Sequence, residues 1–232
     1  MKKTSIAWFA GALHSDGYVY AKKDKIREIR LRAAGCSIQM VEKWCNIINE
    51  ITQKEHQVRK ERLWDKRFSR YSIQYCVREA SKPSMKKIET ALKKTGFGLF
   101  EGEFNDLTEG VFAAYFAGIL DGDGCVQIRN RSDGYGQELL LKIVSQNREA
   151  IEKIRENLEK FGQPKGYVTA YANHYDFWLY VNKNLFKWLK RKVISNLAIT
   201  KKSRKLLLGG SLNKIPLGLG NVSNSTEGVK KV

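Results

Sequence analysis

A ten-residue phrase occurs twice in the chain, and this repeat constrains the fold more than any other feature of the sequence. The first copy is Phe9-Ala-Gly-Ala-Leu-His-Ser-Asp-Gly-Tyr18, and the second is Phe116-Ala-Gly-Ile-Leu-Asp-Gly-Asp-Gly-Cys125. Position 116 repeats position 9, and the same offset of 107 residues holds along the whole phrase. Because this offset is close to half of the 232 residues, the sequence predicts two tandem copies of one unit.

Each copy carries one aspartate, Asp16 or Asp123, directly before a glycine at the end of an apolar segment. Gly17 and Gly124 are expected to end the two helices, because glycine is preferred just past a helix C-terminus. A single Asp-Gly pair is more often a turn than a catalytic site, so helix capping is the simple alternative. The duplication favours a functional role, and two acids, one from each half, predict a symmetric metal site.

Small residues on one face of each helix predict how the two helices meet. Without side-chain bulk, the helices can approach backbone to backbone with their C-terminal ends aligned, which would bring the two aspartates together. The two carboxylates would repel each other, and the helix dipole is negative at that end, so a positive charge is needed beside them. Mg²⁺, which takes oxygen ligands, fits this requirement. The residues of the predicted helix interface are Ala10, Gly11, Ala117 and Gly118.

The spacing of apolar residues predicts an α+β fold with the order α-β-β-α-β-β-α in each half. In the first half, helices are predicted at 5–15, with Thr4 or Ser5 as the cap, at 41–51 and at 84–94, and strands at 18–22, 28–34, 57–63 and 70–77. In the second half, helices are predicted at 107–121, 148–161 and 184–194, and strands at 125–130, 138–145, 167–171 and 176–181. The predicted organisation is a first repeat at 1–96, a linker at 97–106, a second repeat at 107–208 and a mobile C-terminal tail at 209–232.

The charge of the chain favours a polyanionic partner. Lys and Arg number 42 against 24 Asp and Glu, which leaves a formal net charge of +18. Such self-repulsion is better tolerated when a polyanion is bound. A membrane span is not expected, because the longest apolar stretch, 111–120, is half of the roughly 20 residues needed. The four cysteines are scattered and predict buried thiols in a reducing, intracellular compartment, either cytoplasm or organelle.

The second phrase, at 116–124, resembles the signature nonapeptide of the LAGLIDADG homing endonucleases, and 9–17 is a weaker copy. The spacing is similar to that of the single-chain, two-repeat members, and the resemblance covers roughly residues 4–208. It implies a monomeric enzyme that cuts double-stranded DNA at a long, pseudo-symmetric site. It further implies hydrolysis of one phosphodiester per strand across the minor groove, two or three divalent cations such as Mg²⁺, and short 3′ overhangs.

The resemblance also implies roles for individual residues. Asp16 and Asp123, with the glycines that follow them, would bind the metal ions. A basic and a polar residue in each half usually order the water around the metals. The expected basic residues are Lys201 and Lys94, and the expected polar residue is Gln146, with a counterpart near Ser37 or Gln39. In the family, the acidic position that corresponds to Asp121 has a structural role. His14 stands at this position in the first copy and is therefore not expected to be a metal ligand.

Alternation along the strands predicts that each antiparallel sheet has one helix-packed face and one polar, basic face. Ile29 and Leu31 face one way, for example, while Arg30 and Arg32 face the other. Strand ribbons can enter the major groove, where Arg contacts guanine and Gln contacts adenine. An ordinary solvated sheet face is the alternative interpretation. The predicted DNA-contacting residues are Arg30, Arg32, Arg70, Ser72, Gln74, Arg78, Gln127, Arg129 and Lys142.

Two other functions fit the same architecture. An RNA-splicing maturase would bind its intron RNA tightly, and a DNA-binding regulator would have kept the fold and lost the chemistry. Such a regulator is expected to lose at least one metal-binding acid, and this sequence retains both Asp16 and Asp123. The sequence therefore favours a Mg²⁺-dependent site-specific DNA endonuclease. The short termini favour a freestanding protein over an intein insert.

Overall fold

The computed structural model describes residues 1–23, 25–66, 69–130 and 137–212, and it confirms the predicted order of elements in both halves. The first half contains α1 (Lys3–Ser15), β1 (Gly17–Lys22), β2 (Lys25–Ala34), α2 (Ile38–Thr52), β3 (Arg59–Asp65), β4 (Arg70–Glu79) and α3 (Lys82–Lys93). The second half contains α4 (Glu109–Asp121), β5 (Gly124–Asn130), β6 (Gln137–Ser145), α5 (Arg148–Lys160), β7 (Tyr167–Ala170), β8 (Tyr175–Tyr180) and α6 (Lys183–Trp188). A final helix, α7 (Thr200–Leu212), follows the second half.

The termini of the two long apolar helices differ from the prediction. α1 begins at Lys3 and has no side-chain cap, so the predicted cap at Thr4 or Ser5 is wrong. Gly17 and Gly124 lie beyond the helix ends and begin β1 and β5. Each glycine stands where the chain turns back against its own helix. A Cβ added there would lie 2.3 Å and 2.6 Å, respectively, from a carbonyl oxygen in the last turns of α1 and α4.

The C-terminal part of the chain also differs from the prediction. The helix predicted at 184–194 ends at Trp188 and is followed by a π turn and a 3-10 turn that reach residue 196. The predicted tail begins inside α7, since residues 209–212 are helical, and residues 213–232 lie outside the described residues. Among the residues that the structure describes, no helix is long and apolar enough to cross a membrane. Two of the four cysteines are buried as predicted, but Cys36 and Cys125 are exposed.

Each half forms one four-stranded antiparallel sheet, with the strand order β1-β2-β4-β3 in the first and β5-β6-β8-β7 in the second. Amphipathic helices cover one face of each sheet. Trp44 and Ile48 of α2 are fully buried, as are Ile151 and Leu158 of α5, and these spacings of four and seven residues are typical of a helix that packs along one side.

The helices α1 and α4 form the centre of the molecule and are buried nearly all round. A Cβ added to Gly11 would lie 2.2 Å from the Tyr115 carbonyl oxygen, and one added to Gly118 would lie 2.2 Å from the Trp8 carbonyl oxygen. The two backbones therefore touch at the glycines that the repeat placed on one face. Ala10 and Ala117, the other small residues of the predicted interface, are fully buried beside them.

The strand faces follow the predicted alternation over most of each sheet. Ile29 and Leu31 are fully buried, whereas Arg30 is half-buried and turned to the other side. Alternation along β4 also predicts that Tyr71 and Ile73, which oppose the polar residues Arg70, Ser72 and Gln74, face the helices, but they are 56% and 50% exposed. The helix layer therefore does not extend to the outer end of β4.

Candidate active site

The two repeated aspartates lie at the C-terminal ends of the central helices. Asp16 is the C-cap residue of α1, and Asp123 lies between the end of α4 and the start of β5. The helix ends touch, because a Cβ added to Gly122 would lie 2.0 Å from Ser15 Oγ and 3.3 Å from the Asp16 backbone nitrogen. The structure therefore brings the two predicted acids to the same place.

The two acids lie in surroundings that disfavour their charged forms. Burial raises the pKa of Asp123 to about 7, and the charges of Asp16 and Glu101 add to this rise, while Lys202 opposes it. Asp16 keeps an exposed surface, but desolvation on its inner side still raises its pKa, again against the effect of Lys202. Desolvation disfavours the charged form of both acids, the charge of Asp16 adds to this at Asp123, and a bound cation would relieve both effects.

The donor set fits a hard divalent cation. Across the described parts of the chain, no three His, Cys, Asp or Glu side chains form a group that could hold a metal ion. The carboxylates at the two helix ends are Asp16 and Asp123, each followed by a glycine predicted to share the metal site. Mg²⁺ is commonly held in this way, by one or two carboxylates, with waters and substrate phosphate oxygens as the remaining ligands.

A lysine that sequence reasoning missed lies beside the two acids. Lys202, in the first turn of α7, donates from Nζ to the backbone oxygens of Leu120, of Asp121 at 2.7 Å and of Gly122 at 3.4 Å. Burial lowers the pKa of Lys202, while nearby acids, Asp121 foremost, raise it. Its positive charge is therefore held at the end of α4, next to Asp123.

The two lysines predicted as basic partners lie elsewhere. Lys201 is the preceding residue of α7, and its side chain is exposed. Lys94 follows α3 and lines a surface recess at the N-terminal start of α1, whereas the acids lie at the other end of that helix. Helical spacing could have selected Lys202, which stands three residues after buried Ile199 and four before buried Leu206.

Asp121, the acidic position with a structural role by resemblance, ties the two halves together. It is 1% exposed and accepts hydrogen bonds from Trp8 Nε1 at 2.8 Å and from the backbone nitrogens of residues 198 and 199 at 2.6 and 3.1 Å. Burial raises the pKa of Asp121, and these donors oppose the rise. The carboxylate thereby anchors the segment that leads into α7 and fixes where Lys202 emerges.

His14 occupies the position in the first copy that corresponds to Asp121. It makes corresponding contacts through an imidazole ring instead of a carboxylate. Its Nδ1 lies 3.2 Å from the hydroxyl of Tyr115, the residue that corresponds to Trp8, and its Nε2 lies 3.2 Å from the Gly98 carbonyl oxygen. Burial lowers the pKa of His14 to about 4, although the contact with Gly98 opposes this. The ring is therefore neutral, with Nε2 donating to Gly98 and Nδ1 accepting from Tyr115.

The predicted polar residue Gln146 is exposed, while its two neighbours bind an unpredicted acid. Ser145 Oγ donates to a carboxylate oxygen of Glu101, and Asn147 Nδ2 donates to the Glu101 carbonyl oxygen at 3.1 Å. Burial raises the pKa of Glu101, and its charge also acts on Asp123. Glu101 belongs to the segment predicted as a linker, so local sequence offered no signal for this placement.

The first half has a matching contact at the start of α2. Gln39 Oε1, one of the two candidates for the polar counterpart, accepts a hydrogen bond from the Thr200 backbone nitrogen at 2.9 Å. It therefore caps the helix that carries Lys202. The start of α2 in the first half thus contacts the segment that follows the second half. In the same way, the start of α5 in the second half contacts the segment that follows the first half.

The residues predicted to contact DNA share the outer face of each sheet. In the first sheet Arg30 lies opposite Arg78, and in the second Arg129 lies opposite Glu138. Directly opposed residues have their side chains on the same face of a sheet. The same register and alternation place the rest of the predicted set there: Arg32, Arg70, Ser72, Gln74, Gln127 and Lys142. Four acids also lie on these faces: Glu28, which alternation along β2 places on the side of Arg30, and Glu61, Glu138 and Asp176, which sequence reasoning did not foresee.

Residues 111–194, which span α4 to the π turn, match the model of the LAGLIDADG-like domain family. The chain contains a LAGLIDADG-like domain. No curated protein sequence matches the chain. The first half of the chain repeats the strand order of the matched half, with β1-β2-β4-β3 against β5-β6-β8-β7.

Solved structures extend the LAGLIDADG fold to the whole chain. The meganuclease I-AabMI bound to uncleaved DNA is 13% identical, with a TM-score of 0.56 over 90% of this chain and 91% of its own. The homing endonuclease I-WcaI bound to its DNA recognition sequence is 12% identical, with a TM-score of 0.59 over 88% and 86%. Full-length WhiA from Thermotoga maritima is 15% identical, with a TM-score of 0.56 over 95% of this chain and 63% of WhiA. The predicted two-repeat homing-endonuclease fold is confirmed.

Proposed function

We propose that this protein is a site-specific double-strand DNA endonuclease that hydrolyses one phosphodiester on each strand. The observation that carries the proposal is the convergence of Asp16 and Asp123 at the contacting ends of α1 and α4. Two basic sheet faces flank these acids, one from each half. A pseudo-symmetric pair of acids suits a duplex, whose two scissile phosphates belong to antiparallel strands.

Asp16 and Asp123, with Gly17 and Gly124, are the residues that would hold two or three divalent cations such as Mg²⁺. When bound, these ions supply Lewis-acid activation of the phosphate and of a water nucleophile. The aspartates would supply one negative ligand per strand. Desolvation raises the pKa of both, and the charge of Asp16 adds to the rise at Asp123; a cation offsets these effects. Lys202 holds an additional positive charge beside developing phosphate charge and stands one residue after Lys201, the expected basic residue.

The outer sheet faces are proposed to bind the duplex on both sides of the active site. A strand ribbon fits the major groove, where Arg and Gln side chains contact base edges and other cations contact phosphates. The two LAGLIDADG enzymes with the same fold that are bound to DNA support this placement. We expect a monomer, because both acids belong to one chain, and a long target in two related halves. Short 3′ overhangs follow if the cuts lie across the minor groove.

A DNA-binding regulator without cleavage activity is the second candidate. The observation that favours it is the shared fold of WhiA, which has an N-terminal LAGLIDADG domain and is not named as an endonuclease. Retention of both acids at the helix ends favours the nuclease. A maturase that binds intron RNA has the same architecture, and tight RNA binding would distinguish it.

The test is selection of cleaved sites from a randomised duplex library, with Mg²⁺ and Ca²⁺ in parallel. The nuclease is expected to yield one long consensus with staggered ends in Mg²⁺ only. Asp123→Asn should then lower cleavage of that site by at least about 100-fold while leaving its binding unchanged. Enrichment of bound sites without cuts in either ion would indicate the regulator. Loss of binding and cleavage together in Asp123→Asn would contradict the role given to this acid.

A further inference from the structure

Five of the predicted DNA-contacting cations are paired with carboxylates on their own sheet face. In the first sheet, Glu28 lies 2.6 Å from Arg78 Nη2 and 3.8 Å from Arg30 Nη1. On the same face, Arg32 Nη2 donates to Glu61 at 2.7 Å. The second sheet repeats the arrangement with other residues: Arg129 contacts Glu138, and Lys142 lies 2.6 Å from Asp176.

These pairs are more fixed than ordinary surface ion pairs. The Glu28 side chain is only 12% exposed and joins arginines on two neighbouring strands. Arg30 also stacks over the Tyr18 ring at 4.8 Å. Arg129 donates to the Tyr180 hydroxyl at 2.8 Å in addition to its contact with Glu138. Arg30 and Arg129 are thus each held by more than one contact, and Arg78 is held by Glu28.

The outer side of these arginines remains open to a ligand. The Arg78 side chain is 59% exposed and that of Arg129 is 44% exposed, although both are held by a carboxylate. A guanidinium has five N–H donors in a planar fork, so donors remain after one edge is occupied. An arginine held in this way presents its remaining donors in one direction, as paired contact with the acceptors of a guanine requires.

We propose that Glu28 and Glu138 are specificity-determining residues, which hold Arg30, Arg78 and Arg129 for contact with bases and disfavour contact with phosphates. A free arginine can follow any phosphate, whereas a carboxylate next to it repels that phosphate. The acids therefore weaken binding to unrelated DNA and preserve binding to the target. This inference rests on the proposed function, in that it requires sequence-specific DNA binding, but it does not require cleavage.

The experiment compares the affinity of wild type, Glu28→Gln and Glu138→Gln for two duplexes in Ca²⁺. One duplex carries the site selected by the wild type, and the other has the same composition in scrambled order. Each variant is expected to bind the scrambled duplex more tightly, and the ratio of the two affinities should fall by about tenfold, the scale of one lost paired base contact. Glu159→Gln removes the same charge from the exposed side of α5 and should leave the ratio unchanged.

An equal ratio in Glu28→Gln, Glu138→Gln and Glu159→Gln would overturn the inference, because the acids would then act only through net charge. Thermal melting checks that each variant is folded. Because Glu28 and Glu138 lie in different sheets, one of the two variants is sufficient for the test if the other fails to fold. Wild-type binding without any base preference would overturn this inference together with the proposed function. Specific binding that responds to Glu28→Gln, without cleavage, would support the inference and reject only the nuclease.

Discussion

The two adjacent lysines at the start of α7 show how one position along a helix decides the role of a side chain. An α-helix turns about 100° per residue. Lys202 therefore faces the end of α4, where it donates to three backbone oxygens, while Lys201 faces solvent. The structure supports Lys202 as the basic partner of Asp16 and Asp123, and the adjacent residue provides a control of the same chemistry.

Lys202→Met is expected to slow single-turnover cleavage of the selected site by about 100-fold, because a positive charge next to the developing phosphate charge is lost. Lys201→Met removes the same charge from the exposed side of α7 and should leave the rate within about twofold. Rates are measured at saturating protein and Mg²⁺, with thermal melting to confirm folding. Equal rates for the two variants would contradict the role of Lys202.

At the scale of elements, contact between α1 and α4 depends on two glycines. In Gly118→Ala the new Cβ would lie 2.2 Å from the Trp8 carbonyl oxygen, so the helices must separate. We expect a loss of at least about 3 kcal/mol in the free energy of unfolding. Gly110→Ala, in the same helix, has no atom within 4 Å of the new Cβ and should gain up to about 1 kcal/mol. Denaturant unfolding measures both, and similar values would refute close contact of the helices.

Glu79, at the junction of β4 and α3, predicts acid sensitivity. It is buried and accepts hydrogen bonds from the backbone nitrogens of Ala80 at 2.8 Å and Ser81 at 2.6 Å, and contacts His56 Nε2 at 2.9 Å. Burial raises the pKa of Glu79, but hydrogen bonds from Ser81, Ser84 and His56 outweigh it and lower the pKa from 4.5 to about 2. Because the pKa is lowered in the folded state, the stabilisation is complete above pH 4.5 and is lost as the pH falls toward 2.

The lost stabilisation is on the order of 3 kcal/mol. Glu79→Gln should therefore unfold with a weaker pH dependence over this acid range than the wild type. Unfolding free energies measured by denaturant titration at several pH values provide the comparison. Parallel curves for the two proteins would show that another group causes the acid sensitivity.

At the scale of the whole molecule, the features that the sequence predicted are those that depend on local spacing. The repeat identified both aspartates. The helical and strand spacings of apolar residues predicted the order of helices and strands and the buried face of β2. The placements that the sequence did not predict in the candidate site depend on contacts between distant segments. Glu101, in the segment after the first half, contacts Ser145 of the second half, and Gln39 of the first half contacts the segment after the second half. Alternation placed Glu28 on the face of Arg30, but only the register between β2 and β4 shows that it also binds Arg78.

The net charge of +18 leads to a last prediction, on the salt dependence of DNA binding. Each phosphate contact releases counterions, so a protein with six to ten such contacts loses about 10³–10⁵ in affinity between 50 and 200 mM salt. We expect the scrambled duplex to follow this behaviour, since only phosphate contacts hold it. The selected duplex should show a shallower slope, because arginines held by Glu28 and Glu138 contact bases there. Fluorescence anisotropy across a chloride series measures both slopes. A nearly flat response for both duplexes would contradict an extended phosphate interface, and equal steep slopes would show that the arginines bind phosphates in both complexes.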